Sequence, residues 1–417
     1  MRDSWKHRIR HYLDSGIITS IAFYLRSDLV HRPFRLRIAI FAVTLTCSLL
    51  YAPALWAQPS LQGYVKYLPA ARVAYDFSDA NVDHLLHQRF NARWDFNEHL
   101  SFRGSLRTRL FYGYGVGNVP GFADFIADDF GSFDAGGNLI STDNVLLHTI
   151  ADRFHLDWHK DKWHVRLGRQ RINWGINMVS NPNDLFNVYS FFDFDYEERP
   201  GADALRVQYF ASALSRVELA YSPGRTARES VAAMLYSFNR KGYDVQFVSG
   251  YFRNRYAVGT GWAGSIKDTG FKGELTFFTD LEPQADVQAS NVVVALSADH
   301  RFGSGLYVVL EYLYNQQREG VEVDLQFFTQ PLRADNLSFT DHALFANATY
   351  PVSPVSTLGL AGFYYPSEEG FFISPNWNYG VAENLDLLLI SQIFAGSRNS
   401  LLGQAGYLVA AALKWSF

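Results

Sequence analysis

The sequence predicts an all-β chain, a transmembrane antiparallel β-barrel of about 18 strands, with about 16 as the alternative. Three observations predict it. The 417 residues are 48% apolar and 16% aromatic, yet beyond the N-terminal region no run of about 20 apolar residues occurs, so a helical membrane bundle is excluded. Apolar and polar residues then alternate with period two through most of the chain. Finally, the sequence closes on an alternating strand that ends in Phe417.

The N-terminal region reads as an export segment. Arg32, Arg35 and Arg37 precede an apolar run from Ile38 to Tyr51, and small residues follow up to Gln58. Cleavage is expected after Ala57, with Ala54 as the alternative, and the long basic lead-in raises a start near Leu29 or Val30. The expected domains are therefore 1–57, an N-terminal extension with a cleavable signal peptide, and 58–417, the barrel. Cys47, the sole cysteine, lies inside the apolar run, and Thr44-Leu-Thr-Cys47 is a poor lipoprotein box. The mature chain then has no disulfide. Residues 1–57 hold eight of the 37 Lys and Arg and three of the 41 Asp and Glu, so the mature chain carries 29 basic and 38 acidic side chains, a net charge of −9. That balance argues against nucleic acid as a partner.

The strands follow from alternation. Phe90, Ala92, Trp94 and Phe96 share one face, against Arg89, Asn91, Arg93 and Asp95. Phe102, Leu106, Leu110 and Tyr112 alternate with Arg103, Ser105, Arg107 and Arg109, and Phe154, Leu156 and Trp158 with Arg153, His155 and Asp157. The same reading gives strands near 62–76, 84–97, 100–115, 145–158, 163–174, 202–211, 215–223, 230–239, 242–253, 255–267, 270–280, 290–302, 305–316, 340–352, 355–366, 370–381, 385–397 and 404–417. Pro69 and Pro375 interrupt two of them. Tight turns at 97–99, 160–162, 213–215, 240–242, 267–269, 303–305 and 353–354 alternate with longer connectors, the longest at 116–144, 175–201 and 317–339. Short turns on the periplasmic side and long loops outside is the layout of a bacterial outer-membrane barrel.

The last strand places Tyr407, Val409, Leu413, Trp415 and Phe417 on one face. An amphipathic strand ending in an aromatic resembles the signal read by the outer-membrane barrel assembly machinery. Outer-membrane lipid and lipopolysaccharide are the expected surroundings.

A barrel of this size can hold a water-filled channel. Its expected inward faces carry Arg89, Arg93, Arg103, Arg107, Arg109, Arg153, Arg166, Arg206 and Arg216, a basic wall with Asp95, Asp157 and Glu218 as candidate partners. The 175–201 loop carries Asp184, Asp193, Asp195, Glu197 and Glu198, with Phe186, Tyr189, Phe191, Phe192, Phe194 and Tyr196 between them. Such a loop gains by folding into the barrel, burying its rings and turning its acids toward the arginines. Opposed charges at a narrow point select solutes by size and charge. The expectation is passage of small hydrophilic solutes with mild anion preference, opposed by outer-loop acids such as Asp124, Asp128, Asp129, Asp134 and Asp143. A loop that instead closes the mouth would make a barrel with a structural, assembly or adhesion role. No cofactor is expected. A Ca²⁺ seat at Asp193, Asp195, Glu197 and Glu198 is a lesser alternative.

An enzyme is not expected. His84, His87, His148, His155, His159 and His164 show no metal spacing, and no Gly-x-Ser-x-Gly occurs. His155 and His159 stand roughly 13 Å apart along a strand.

The run Leu167-Gly-Arg-Gln-Arg-Ile-Asn-Trp-Gly175, then Asn181-Pro-Asn-Asp-Leu-Phe-Asn187 and Asp195-Tyr-Glu-Glu-Arg-Pro-Gly-Ala-Asp203, resembles the porin-superfamily barrels of Gram-negative bacteria. It is similar in particular to porin-like and alginate-export-like outer-membrane proteins. The resemblance covers about 40 residues in its specific part. It implies passive passage of a hydrophilic solute and puts Arg169 and Arg171 near the constriction. Strict alternation gives those two arginines the lipid-facing parity. Either Gly168 marks a bulge that switches the face, or they stand above the membrane band.

Overall fold

The computed structural model describes residues 59–129, 131–188, 190–193, 195, 201–319, 332–397, 400 and 402–417. The export segment expected at 1–57 lies outside them, as do Glu197 and Glu198. The described strands are β1 (Ser60–Val73), β2 (Ala80–Asp95), β3 (Leu100–Gly113), β4 (Gly136–Ser141), β5 (Val145–Lys160), β6 (Trp163–Gln170), β7 (Ala202–Ser212), β8 (Ser215–Ser222), β9 (Val231–Arg240) and β10 (Tyr243–Phe252). They continue as β11 (Arg255–Ile266), β12 (Thr269–Asp280), β13 (Ser290–Arg301), β14 (Tyr307–Asn315), β15 (His342–Ser353), β16 (Ser356–Tyr365), β17 (Gly370–Ala382), β18 (Leu385–Ala395) and β19 (Tyr407–Ser416).

Successive strands pair antiparallel, and β1 pairs with β19, so the sheet closes. β3 pairs directly with β5, while β4 pairs only with β5 among the described residues. β4 therefore belongs to an outer hairpin, and the wall has eighteen strands. The turns at the short end are tight for a local reason. Lys241 and Gly242 both take positive φ (53° and 82°), the mirror-image turn that matches strand twist.

The outer face is apolar. Leu219, Phe247, Leu310, Leu360 and Val409 stand exposed on it, as lipid contact requires. Trp163 packs tilted against Tyr209 and Trp415 against Phe417 toward the short-turn end, with Tyr112, Tyr221 and Tyr256 toward the long-loop end. These are the two aromatic girdles.

The two prolines do not end their strands. Pro69 keeps its place opposite His84 of β2, but the pairing with β19 lapses between Tyr67 and Ala70. Pro375 stays opposite Leu360 of β16, and the pairing with β18 lapses between Ile373 and Asn376. Proline lacks an N–H for one side of the ladder only, and the other side carries each strand through. A bulge matters more. In β5 the register steps from Ser105–Arg153 to Leu106–Ala151, leaving Asp152 as the extra residue. Past it, His148 and Leu146 take the inward parity that strict alternation would give their neighbours.

Candidate functional site in the lumen

The segment after β6 folds into the barrel and runs around its inner wall. It departs after Gln170, two residues beyond Gly168, which keeps its pairing with His155 and Ala204 at a φ of 119°. Trp174 comes first: its ring N–H donates to Glu218 of β8 (2.6 Å), and its carbonyl accepts from Gln246 of β10 (2.7 Å). Glu274 of β12 accepts the backbone N–H groups of Ile176 (2.5 Å), Asn177 (2.9 Å) and Asn183 (2.9 Å). Glu311 of β14 accepts those of Ser180 (2.7 Å) and Val179 (3.3 Å). Side chains lock the same stretch, with Ser297 donating to Asn177 and Thr276 to Asn183. β11 makes room with glycine. A Cβ on Gly259 would sit 2.4 Å from Asn183, and one on Gly261 2.8 Å from Ile176.

Burial drives the docking. Ile172, Trp174 and Leu185 join one apolar cluster with inward side chains of the wall, among them Leu235, Phe252, Phe278 and Val293. Farther on, Phe191 packs edge-on against Phe345 (5.0 Å), and Phe192 against Phe372 (5.0 Å). Gln392 of β18 donates to the Phe192 carbonyl (2.8 Å). Asp195 then meets Lys66 of β1 (2.7 Å) and His87 of β2 (3.3 Å). The loop thus touches the wall from β8 round to β2.

Its acids fall into different roles. Asp184 has no exposed surface and accepts from the Asn187 N–H (3.4 Å). Of the acids expected to take part in selectivity, this one is buried within the loop. Asp193 is half-buried, and desolvation, reinforced by the charge of Asp195, pushes its carboxyl up to about 6. Burial also raises Asp195, but the His87 hydrogen bond and the Lys66 charge outweigh it and hold that carboxyl at about 2. No group of three or more His, Cys, Asp or Glu is placed to hold a metal among the described residues.

The arginines divide likewise. Arg103 and Arg93 are exposed, Arg93 beside Asp95 (2.8 Å). Arg216 is 36% exposed and 3.6 Å from Glu218. Arg166 makes two bonds to Asp157, whose other oxygen meets His164, and Arg206 makes two to Glu218. Arg107 approaches Asp152 (3.4 Å), Arg109 stands beside His148 (3.3 Å), and Arg153 donates to the Asp152 carbonyl (2.7 Å). Two expected pore-lining arginines are sealed. Arg89 is 1% exposed and bound to Asp152 (2.6 Å), which the bulge brings inward. Arg169, at 2%, sits between Asp129 (2.7 Å) and Asp203 (2.7 Å), with the Phe133 ring over it. Groups so covered do not meet a solute. Arg171 is half-buried where the loop begins.

Sequence reasoning missed three features. Glu274, Glu311 and Gln246 hold the loop; each has the inward parity of its strand, which was the available signal. Asp152 is inward only through the bulge. A second segment, 332–341, also folds in: Ala334, Leu337 and Phe339 are buried, and Asp335 accepts from Arg255 (2.9 Å) and Arg333 (2.9 Å).

No family model matches this chain, and no curated protein matches its sequence. Solved structures do match it. The outer membrane protein OprD from Pseudomonas aeruginosa aligns over 88% of this chain and 96% of its own length, with a TM-score of 0.56 and 9% identity. OccAB2 of Acinetobacter baumannii aligns over 88% and 99%, with a TM-score of 0.54 and 10% identity. P. aeruginosa OccK7 (OpdD) aligns over 86% and 99%, with a TM-score of 0.51 and 9% identity. What this chain shares with them is the fold, the closed eighteen-stranded antiparallel barrel of the outer-membrane porins.

Proposed function

We propose that the chain is an outer-membrane channel for passive diffusion of small hydrophilic solutes, with a mild preference for anions. One observation carries the reading. The inward loop runs along the inner wall from β8 round to β2, while Arg103, Arg93 and Arg216 keep exposed guanidinium groups toward the short-turn ends of β3, β2 and β8. Arg107, Arg166 and Arg206 add charge behind them, each offset by a carboxylate. A positive potential on the approach to the loop raises the local concentration of anions. In this reading Arg109, Arg153 and Arg171 border the same path, and Asp193 and Asp195 tune it. The export segment is cleaved after Ala57. The strand Tyr407–Phe417 delivers the chain to the assembly machinery, and lipopolysaccharide surrounds the outer girdle.

The test is planar-bilayer recording. Ohmic single-channel current with a reversal potential displaced toward anions in a salt gradient supports the proposal; persistent silence removes it. A second reading draws on the packing itself. Phe278, Val293 and Ala295 have no exposed surface on the inner wall, as in a barrel shut by its own loop for a structural or adhesive role. Silence in bilayers, with the barrel folded, favours that reading.

A further inference from the structure

Among its described residues between Arg171 and Phe192 the inward loop has no regular secondary structure, so its backbone polar groups must find partners elsewhere. The wall supplies partners on alternate strands: Glu274 and Glu311 accept backbone N–H groups, Glu218 accepts the Trp174 ring N–H, and Gln246 donates to the Trp174 carbonyl. Glu218 of β8, Gln246 of β10, Glu274 of β12 and Glu311 of β14 each bind the loop directly. The register explains the spacing. Gln246 and Glu274 both lie opposite Gly261 of β11, and Glu311 lies opposite Ser297, two residues along β13 from Ala295, the partner of Glu274. The four side chains therefore form a continuous inner rail across seven strands.

Two members differ from the rest. Glu218 also holds Arg206 and Gln208, so it belongs equally to the basic wall. Glu274 and Glu311 form no ion pair among the described residues, and both are buried. A buried carboxylate without a cation is costly unless hydrogen bonds satisfy it. Here five backbone N–H groups of the loop do so. The dependence is mutual. If the loop leaves, two carboxylates lose their donors; if the carboxylates go, five N–H groups lose their acceptors inside a closed space.

We infer that Glu274 and Glu311 are positioning residues that fix how far the loop projects into the lumen, and so set the aperture of the pore. The conductance consequence rests on the channel reading; the positioning itself does not. The experiment therefore uses two readouts. Val179→Cys, at a buried loop position, is made with Cys47→Ser, so that it is the only thiol. Labelling by a water-soluble maleimide is compared in that parent and in E274A/E311A, with assembly checked by heat-modifiable gel migration. Loss of charge-assisted bonds predicts labelling faster by about tenfold or more. Single channels of the same variant are expected to show higher conductance and noisier open current. E274Q keeps one acceptor oxygen and is expected to label at an intermediate rate; it carries the test where the double variant does not assemble.

Assembled variants that label at the parent's rate overturn the inference. A silent parent whose variants label faster leaves it standing and removes the channel reading. A conducting parent whose variants keep its labelling rate and noise does the reverse.

Discussion

Arg169 shows how much one side chain can hold. Its guanidinium joins Asp129 of the outer loop to Asp203 of β7 and also donates to the Phe133 carbonyl. Arg169→Ala would leave two buried carboxylates unpaired, at a cost of about 3–5 kcal/mol. The barrel wall is expected to survive, because β5 and β7 keep their ladders on β6. The outer segment 128–135 is expected to come loose, which limited proteolysis of assembled barrels would detect as new cleavage there. The exposed arginines carry a different prediction. Arg103 is exposed and makes no ion pair among the described residues, so R103E/R216E is expected to move the reversal potential toward cations. R107E is expected to move it less, since Asp152 already offsets that charge. At this scale the sequence was only partly legible. Inward parity put Arg103 and Arg216 on the same face as the buried His155 and Glu218. It could not tell exposed arginines from sealed ones, because Asp152 turns inward through a one-residue bulge and Gly168 takes a positive φ inside β6, next to Arg169.

Among the elements, the inward loop has a fixed part and a titratable part. The stretch 172–188 rests on apolar burial and the glutamate rail. The stretch near Asp195 rests on Lys66 and His87, with Asp193 alongside and Arg107 and Arg109 facing it. The two carboxyls pull in opposite directions with pH. Asp195 is held at about 2, below the ordinary 3.8, so its stabilisation is present above 3.8 and is lost as pH falls toward 2. Asp193 is pushed to about 6, so the docked loop binds its proton more tightly, and docking weakens as pH rises from 3.8 through 6. Docking of the loop tail is therefore expected to be tightest near pH 4 and looser at pH 2 and pH 8. A spin label at Ser190→Cys would report this as mobility with a minimum; monotonic mobility would contradict it. Space matters as much as charge. Gly259→Val places methyl groups where Asn183 sits, and is expected to expose the Val179 region to labelling without disturbing the β11 ladder. The rings of this loop were readable in sequence as material for burial. Its path was not, since an aperiodic segment gives no parity from which to infer a partner.

For the whole molecule, strand boundaries were legible to within about four residues, because lipid outside and side chains inside force period two on every strand. The short turns added parity from end to end. The outer hairpin containing β4 escaped notice, as Gly136-Gly-Asn138 breaks any alternation before it can be seen. The closing pair β1–β19 yields the last prediction. Deleting residues 407–417 leaves β1 and β18 with open edges on both sides of a gap, so the compact, heat-modifiable form is expected to be absent on gels.

That same junction has a consequence for chain connectivity. Gly63 and Phe417 exchange two backbone hydrogen bonds, each 2.9 Å, so the first and last wall strands meet as any internal neighbours do. A ring of strands has no geometric first member; only the break in the covalent thread marks one. Bridging Ser60 to Phe417 with a short glycine linker and cutting instead between Lys241 and Gly242 would hand the break to another hairpin. Every pairing would be kept, while Phe417 became an interior residue and a different residue ended the chain. Such a permuted barrel would keep the ring closed while moving the break in the thread, so closure and thread order could be varied apart.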